Sequence, residues 1–115
     1  MKKLFFFFPA LLTWSACSFE KGEVPVAEIP CDSNVSYSAT VTPLVANACL
    51  GCHTPGGEGP GDFSNYSELK IAADNGSLKR VVYTLKSMPP AGNPGLTDEE
   101  RAKIRCWVEQ GASEN

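Results

Sequence analysis

The stretch ANACLGCHTPGG, residues 46–57, places two thiols and an imidazole close together. Cys49, Cys52 and His53 form the pattern C-L-G-C-H, and His53 is the single histidine of the 115-residue chain. A C-x-x-C pair is used by structural zinc sites, by redox-active disulfides and by covalently attached haem. The choice among these three depends on the cellular compartment, on the other cysteines and on the residue that supplies a second ligand.

The N-terminus indicates export. Two lysines precede an apolar run, residues 4–12, that is too short to cross a bilayer as a mature helix. Two small residues then precede Cys17, which resembles a bacterial lipoprotein signal, in which that thiol is acylated and becomes the new N-terminus. We therefore predict a lipoprotein-type signal peptide over residues 1–16 and a lipid anchor on Cys17. The protein would lie on the periplasmic side of a bacterial membrane or at the cell surface. An ordinary cleaved signal is the alternative.

The remainder of the chain divides into a tether and one domain. Residues 17–30 carry charges and prolines without a helical period, which is typical of a linker. Residues 31–115 form a domain small enough that a cofactor, metal or disulfide commonly supplies part of its stability. The net charge of −3 becomes more negative when the signal lysines are removed. We therefore expect no nucleic-acid binding, and we expect protein partners with basic faces.

The domain is predicted to be all-α, because no stretch alternates apolar and polar residues as a strand does. Proline is tolerated in the first turn of a helix, so the Thr42-Pro43 pair can start or restart one. The predicted helices are a first one that follows Tyr37 and runs through Pro43 to the C-x-x-C, then residues 65–73, residues 77–86 and a last one that begins after Thr97.

The last helix has the clearest pattern. Thr97 and Glu100 are spaced as a capping box, in which each side chain accepts a hydrogen bond from the other residue's backbone N–H. One face of the helix is defined by residues at the i, i+3, i+4 and i+7 positions: Ile104, Trp107, Val108 and Gly111. We therefore assign Trp107 to the core.

Five cysteines are present in the chain. If Cys17 carries lipid and the C-x-x-C pair is used together, Cys31 and Cys106 remain. Cys106 lies away from the apolar face of the last helix, so a disulfide between these two would strap the start of the domain over that helix. An exported protein permits such a bond. Two unpaired thiols are the alternative.

The pattern C-x-x-C-H favours haem over the other two sites. A zinc site needs a fourth ligand, and an imidazole directly after Cys52 is poorly placed to share a tetrahedron with both thiolates. A redox dithiol usually belongs to a βαβ unit, and no strand is predicted. In c-type haem, each thiol adds to a vinyl group and the adjacent imidazole binds the iron. We therefore predict one covalent haem c on Cys49 and Cys52, with His53 as the proximal iron ligand.

The second iron ligand is limited by composition. No second histidine is available, and of the two methionines Met1 leaves with the signal. Met88 follows the third predicted helix in the sequence K-S-M-P-P. A thioether ligand suits an electron-transfer iron, because it raises the reduction potential and closes the coordination site. We predict Met88 as the distal ligand; a core position for Met88 with an open sixth site is the alternative.

Three motifs, C-L-G-C-H, S-M-P-P and LTDEERAKIRCWVEQGA, occur in this order over residues 36–113. This region resembles the class I monohaem cytochrome c domains of exported bacterial proteins. The resemblance implies a helical fold in which the first and last helices cross and one edge of the haem is exposed. It also implies haem attachment at Cys49 and Cys52, with His53 and Met88 as the axial ligands.

The function predicted from these features is electron transfer to redox partner proteins, without substrate turnover. No second histidine is present to act as an acid or base beside the haem. Two other functions stay open: a haem-based sensor or peroxidase-like protein with an open sixth site, and a non-haem binding lipoprotein whose C-x-x-C is a disulfide. The carbonyl that orients the His53 ring also stays open, with those of Pro55 and Pro60 as candidates.

Overall fold

The computed structural model describes residues 28–31 and 33–115, which contain helices and no strand. The prediction of an all-α domain is confirmed for these residues. None of their helices is long and apolar enough to cross a membrane. The predicted signal peptide, Cys17 and most of the tether lie outside the described residues. The helices are α1 (Thr42–Ala48), α2 (Tyr66–Asp74), α3 (Ser77–Lys79) and α4 (Asp98–Glu109), with wider π-helical turns before α1 (Tyr37–Val41) and after α3 (Arg80–Thr84).

The first helical segment starts at Tyr37, where the Ser36 hydroxyl accepts a hydrogen bond from the N–H of Ala39 at 3.1 Å. Pro43 has no N–H to donate to the preceding turn, and the N–H of Thr42 reaches back to the carbonyl of Tyr37 in a wider turn. The Thr42-Pro43 pair therefore restarts a helix that has already begun.

Side-chain caps start both α2 and α4. The Asn65 side chain accepts a hydrogen bond from the N–H of Glu68 at 2.9 Å, so Asn65 is the N-cap of α2 and not its first residue. At α4, Thr97 and Glu100 exchange both hydrogen bonds of the predicted capping box. Each cap satisfies backbone N–H groups that the first turn of a helix leaves without a partner.

The third helical segment ends earlier than its sequence predicts. The predicted end at residue 86 is wrong, because helical structure stops at Thr84. The N–H groups of Ser87 and Met88 both return to the carbonyl of Val81, at 2.9 and 3.1 Å. Lys86 takes a positive φ of 51° and turns the chain out of the helix. This turn brings Met88 back over the third segment.

The core is centred on Trp107, which is 1% exposed. Its ring stacks on Tyr37 with centroids 5.6 Å apart, and Tyr66 meets Tyr37 edge-on at 5.1 Å. The prediction that Trp107 is a core residue is confirmed, and the turn Tyr37–Val41 before α1 packs against α4. Aliphatic side chains complete the core: Val41, Val45, Leu69, Leu78, Val82, Leu96 and Ile104.

The start of the described chain lies along α4 as a strap, residues 28–31 and 33–35. Cys31 is joined by a disulfide to Cys106, with Cα atoms 5.4 Å apart. The Gln110 side chain accepts from the N–H of Val35 at 2.9 Å and donates to the carbonyl of Ser33 at 2.8 Å. The strap covers the side of α4 opposite the apolar face, so Cys106 is only 4% exposed.

Helix α4 also contains two buried arginines, Arg101 and Arg105. Arg105 lies under the strap, donates to the carbonyl of Ile29 and forms an ion pair with Glu109 at 3.5 Å. Its guanidinium also lies 4.8 Å from the ring centroid of Tyr83. Arg101, one turn earlier on α4, donates hydrogen bonds to the carbonyls of Val82 and Met88 instead.

Candidate haem-binding site

The C-x-x-C-H segment is a tight turn at the C-terminal end of α1. Cys49 caps that helix, and its carbonyl accepts hydrogen bonds from the N–H groups of Cys52 and His53, at 3.1 and 2.9 Å. The two thiols are half-buried, and neither is disulfide-bonded within the described part of the chain. Both thiols and the imidazole therefore come from one turn of backbone.

The His53 ring is held by the backbone of the loop that follows it. Nδ1 lies 2.6 Å from the carbonyl oxygen of Pro60. Since a carbonyl can only accept, Nδ1 is the donor, and in the neutral ring this leaves the lone pair on Nε2. Of the two carbonyls that the sequence left open, Pro60 makes this contact. The arrangement is the one that metal-binding histidines use to fix their tautomer and orientation.

The glycine-rich loop packs against this turn too closely to accept larger residues. A Cβ on Gly59 would lie 2.8 Å from Cε1 of His53, and a Cβ on Gly57 would lie 2.1 Å from the carbonyl oxygen of Cys52. On another side, the Phe63 ring stacks on the imidazole with centroids 4.4 Å apart and an interplanar angle of 11°. The ring is thus fixed by a hydrogen bond, a glycine and an aromatic ring.

Met88 faces the same space from the segment that follows the third helix. Met88 is 37% exposed. Its carbonyl accepts a hydrogen bond at 2.6 Å from Nη1 of Arg101, and the same nitrogen donates to the carbonyl of Val82 at 2.6 Å. The Met88 segment is therefore tied to α4 and to the core.

These elements enclose a cavity of about 650 Å³. Its volume is in the range of cofactor and ligand pockets, which are mostly apolar with a few placed polar groups. Cys49, Cys52, His53 and Met88 all line it. The remaining walls are largely apolar: Ala48, Phe63, Leu78, Val81, Val82, Pro89, Pro90 and Leu96. Two vinyl-reactive thiols, an imidazole with a free Nε2 and a thioether are the donor set that a covalent haem requires, so the residues fit this group.

Burial alters the acidity of one thiol. It raises the pKa of Cys49 to about 11, because the cavity wall disfavours the thiolate. A thioether has no proton to lose and is compatible with this position, whereas a reactive redox thiol usually has a depressed pKa.

Among residues 28–31 and 33–115, no three His, Cys, Asp or Glu side chains are grouped as a metal ion would require.

Comparison with known protein families gives a match over the part of the chain that forms this cavity. A family model described as cytochrome c oxidase, cbb3-type, subunit III, matches residues 39–108, more than half of the chain. The chain belongs to this cytochrome c family. It contains a class I monohaem cytochrome c domain, which binds haem c and transfers electrons. No curated protein and no solved structure gives a significant match to the chain.

Within the cytochrome c domain, the four residues singled out from the sequence line one cavity, although Met88 is far from the other three along the chain. Two contributors were not predicted: Phe63, stacked on the imidazole, and Arg101, bound to the Met88 segment. The run of glycines after His53 is a sequence signal that could have indicated a close approach of backbone, although not which atoms approach. Cys31 lies on the strap and Cys106 on α4, and neither lines this cavity.

Proposed function

We propose that the chain is an electron carrier of the bacterial cell envelope. In this proposal, Cys49 and Cys52 hold the haem through thioether bonds, and His53 and Met88 are the axial iron ligands. The supporting observation is that all four side chains line one apolar cavity of about 650 Å³. The bound haem would supply an iron that accepts and releases one electron.

The contacts of His53 support its role as the proximal ligand. The hydrogen bond from Nδ1 to the carbonyl of Pro60 leaves Nε2 as the only ring nitrogen that can donate an electron pair. The same bond makes the ring a stronger donor, since the carbonyl draws the Nδ1 proton outward. Gly59 and Phe63 block the ring from rotating out of this position.

Met88 supports the choice of electron transfer over the sensor and peroxidase-like alternatives. Those functions require a position on the iron that a gas or peroxide can reach. A thioether from Met88 would occupy that position, and the segment that follows Met88 lines the cavity with three prolines, Leu96 and Asn93. No second histidine is present to move a proton there. We therefore propose that the protein has no substrate turnover of its own.

The location and partners are proposed from the sequence. Export by residues 1–16 and acylation of Cys17 would anchor the domain to a membrane surface through the tether. The negative net charge favours redox partner proteins that present a basic face, because opposite charges speed encounter. Nucleic acid is not among the proposed partners.

Covalent attachment tests the proposal. The protein should be produced with haem-attachment machinery and examined by denaturing electrophoresis with haem staining and by acid–acetone extraction. Haem should stay on the chain in both, and the double substitution C49A/C52A should abolish staining. The matched control is C31A/C106A, which removes two cysteines outside the cavity and should keep the haem.

Release of free haem from the wild-type protein would contradict the thioether assignment. Protein that contains no haem at all, with Cys49 and Cys52 joined to each other, would instead support a non-haem binding lipoprotein.

A further inference from the structure

Arg101 is a charged side chain with an unusual position, since it is only 8% exposed. Both hydrogens of its Nη1 are used on main-chain carbonyls. One goes to Val82 and the other to Met88, each at 2.6 Å. A single amino group therefore joins three elements: helix α4, the π-helical turn after α3 and the segment that contains Met88.

The Met88 segment has little other support from the rest of the fold. Its N–H bonds to the carbonyl of Val81, which fixes one end of the residue to the third helical segment. The hydrogen bond from Arg101 fixes the other end. The ion pair between Lys86 and Asp98, at 2.6 Å, connects the same loop to α4, but both side chains are largely exposed. Exposed pairs contribute little to holding a loop, so Arg101 is the principal contact of α4 with this segment.

Among the described residues, no acidic side chain forms an ion pair with Arg101. Asp98 interacts with it at longer range, since the pKa of Asp98 is lowered chiefly by its hydrogen bond to Lys86 and to a smaller extent by the charge of Arg101. Asp98, one turn earlier on α4, is paired with Lys86 instead. The carbonyl oxygens of Val82 and Met88 are the protein groups that accept hydrogen bonds from the guanidinium. A cation in this setting exerts its field with little screening from water.

We infer that Arg101 is the positioning residue for the distal ligand: it locks the Met88 main chain so that the thioether stays on the iron, and its charge favours the reduced protein. This inference rests on the proposed ligation by Met88. The electrostatic part follows from the sign of the charge, since a nearby cation disfavours the more positive oxidation state. The positional part follows from the geometry of the two hydrogen bonds.

The test compares R101M, R101K, M88A and R105M in the haem-loaded protein. Two quantities are measured: the rate at which the reduced protein binds carbon monoxide, and the reduction potential. R101M should bind carbon monoxide about tenfold faster than wild type, the change expected when a hydrogen bond to a charged group is lost. Its potential should fall. R101K keeps the positive charge, so its reduction potential should lie close to that of wild type. Its rate of carbon monoxide binding should lie between those of wild type and R101M.

R105M is the matched control, because Arg105 is a second buried arginine of α4 that contacts the strap and not Met88. It should lower the melting temperature without changing either quantity. If R101M and R105M give the same binding rate and potential, the role of Arg101 is overturned, while a large effect of M88A leaves the proposed ligation intact. If M88A changes neither the rate of carbon monoxide binding nor the reduction potential, both the proposed ligation by Met88 and the role of Arg101 are overturned. Should R101M fail to fold, R101K is compared with R105K, and equal values for the two would overturn the inference.

Discussion

The carbonyl oxygen of Pro60 accepts a hydrogen bond from Nδ1 of His53 at 2.6 Å. The two residues are seven positions apart along the chain, and the glycine-rich loop between them folds back over the C-x-x-C-H turn. The loop therefore sets both the tautomer and the direction of the imidazole. An iron ligand that is oriented by its own loop loses less conformational freedom when the metal binds.

Gly59 is the residue of that loop whose replacement should disturb the His53 ring most directly. In G59A, a Cβ placed 2.8 Å from the imidazole would push the ring away from Pro60. We expect a loss of about 1–3 kcal/mol in the free energy of unfolding, which is the usual cost of overpacking. Thermal melts of the haem-loaded protein and its visible spectrum would measure both stability and ligation.

The control for this substitution is G95A, because a Cβ at Gly95 meets nothing within 4 Å. Its free energy of unfolding should stay within about 0.5 kcal/mol of wild type. Equal melting temperatures and identical spectra for G59A and G95A would show that the loop does not constrain the ring.

The disulfide of the strap should stabilise the domain without affecting the haem. Cys31 and Cys106 are 75 positions apart, and closing a loop of this length contributes about 4 kcal/mol in the chain-entropy model. C106S should therefore lower the melting temperature markedly and leave the visible spectrum unchanged. Mass spectrometry of the unreduced protein should find the two cysteines linked. Complete alkylation of both thiols in the native protein would contradict the linkage.

The lipid anchor predicts a change in location on one substitution. Wild-type protein should partition with membranes, and C17A should move to the soluble fraction, because the acyl chains supply most of the membrane affinity. The haem spectrum should be the same in both fractions. An unchanged distribution of C17A would exclude lipidation as the basis of membrane association.

Local signals account for the parts of the fold that the sequence predicted well. The capping box at Thr97 and Glu100 depends on residues three apart, and the core position of Trp107 depends on the spacing of one helix. The C-x-x-C-H motif specifies its chemistry within five residues. The choice of Met88 as the candidate distal ligand needed only the count of methionines and histidines, because few side chains can ligate the iron, and its ligation stays a prediction.

Features that depend on contacts between distant segments were not predictable. Arg101 has the polar character of an exposed helix face, and nothing near it in sequence indicates that its partners are the carbonyls of Val82 and Met88. The predicted third helix is too long because its helical sequence pattern continues to residue 86, whereas helical structure ends at Thr84. Its end is set by Ser87 and Met88 turning back to Val81, a contact that leaves no local signal.

The sharpest test of the proposed site is carbon monoxide binding to the reduced protein, measured for wild type and M88A side by side. Because the Met88 thioether would occupy the sixth position on the iron, wild type should bind slowly and M88A rapidly. M88A should also lose the weak long-wavelength band of methionine-ligated ferric haem and show a lower potential, with the haem still attached through Cys49 and Cys52. Rapid binding by wild type, together with an M88A spectrum and potential identical to wild type, would contradict ligation by Met88 and leave an open site suited to a sensor or a peroxidase-like protein.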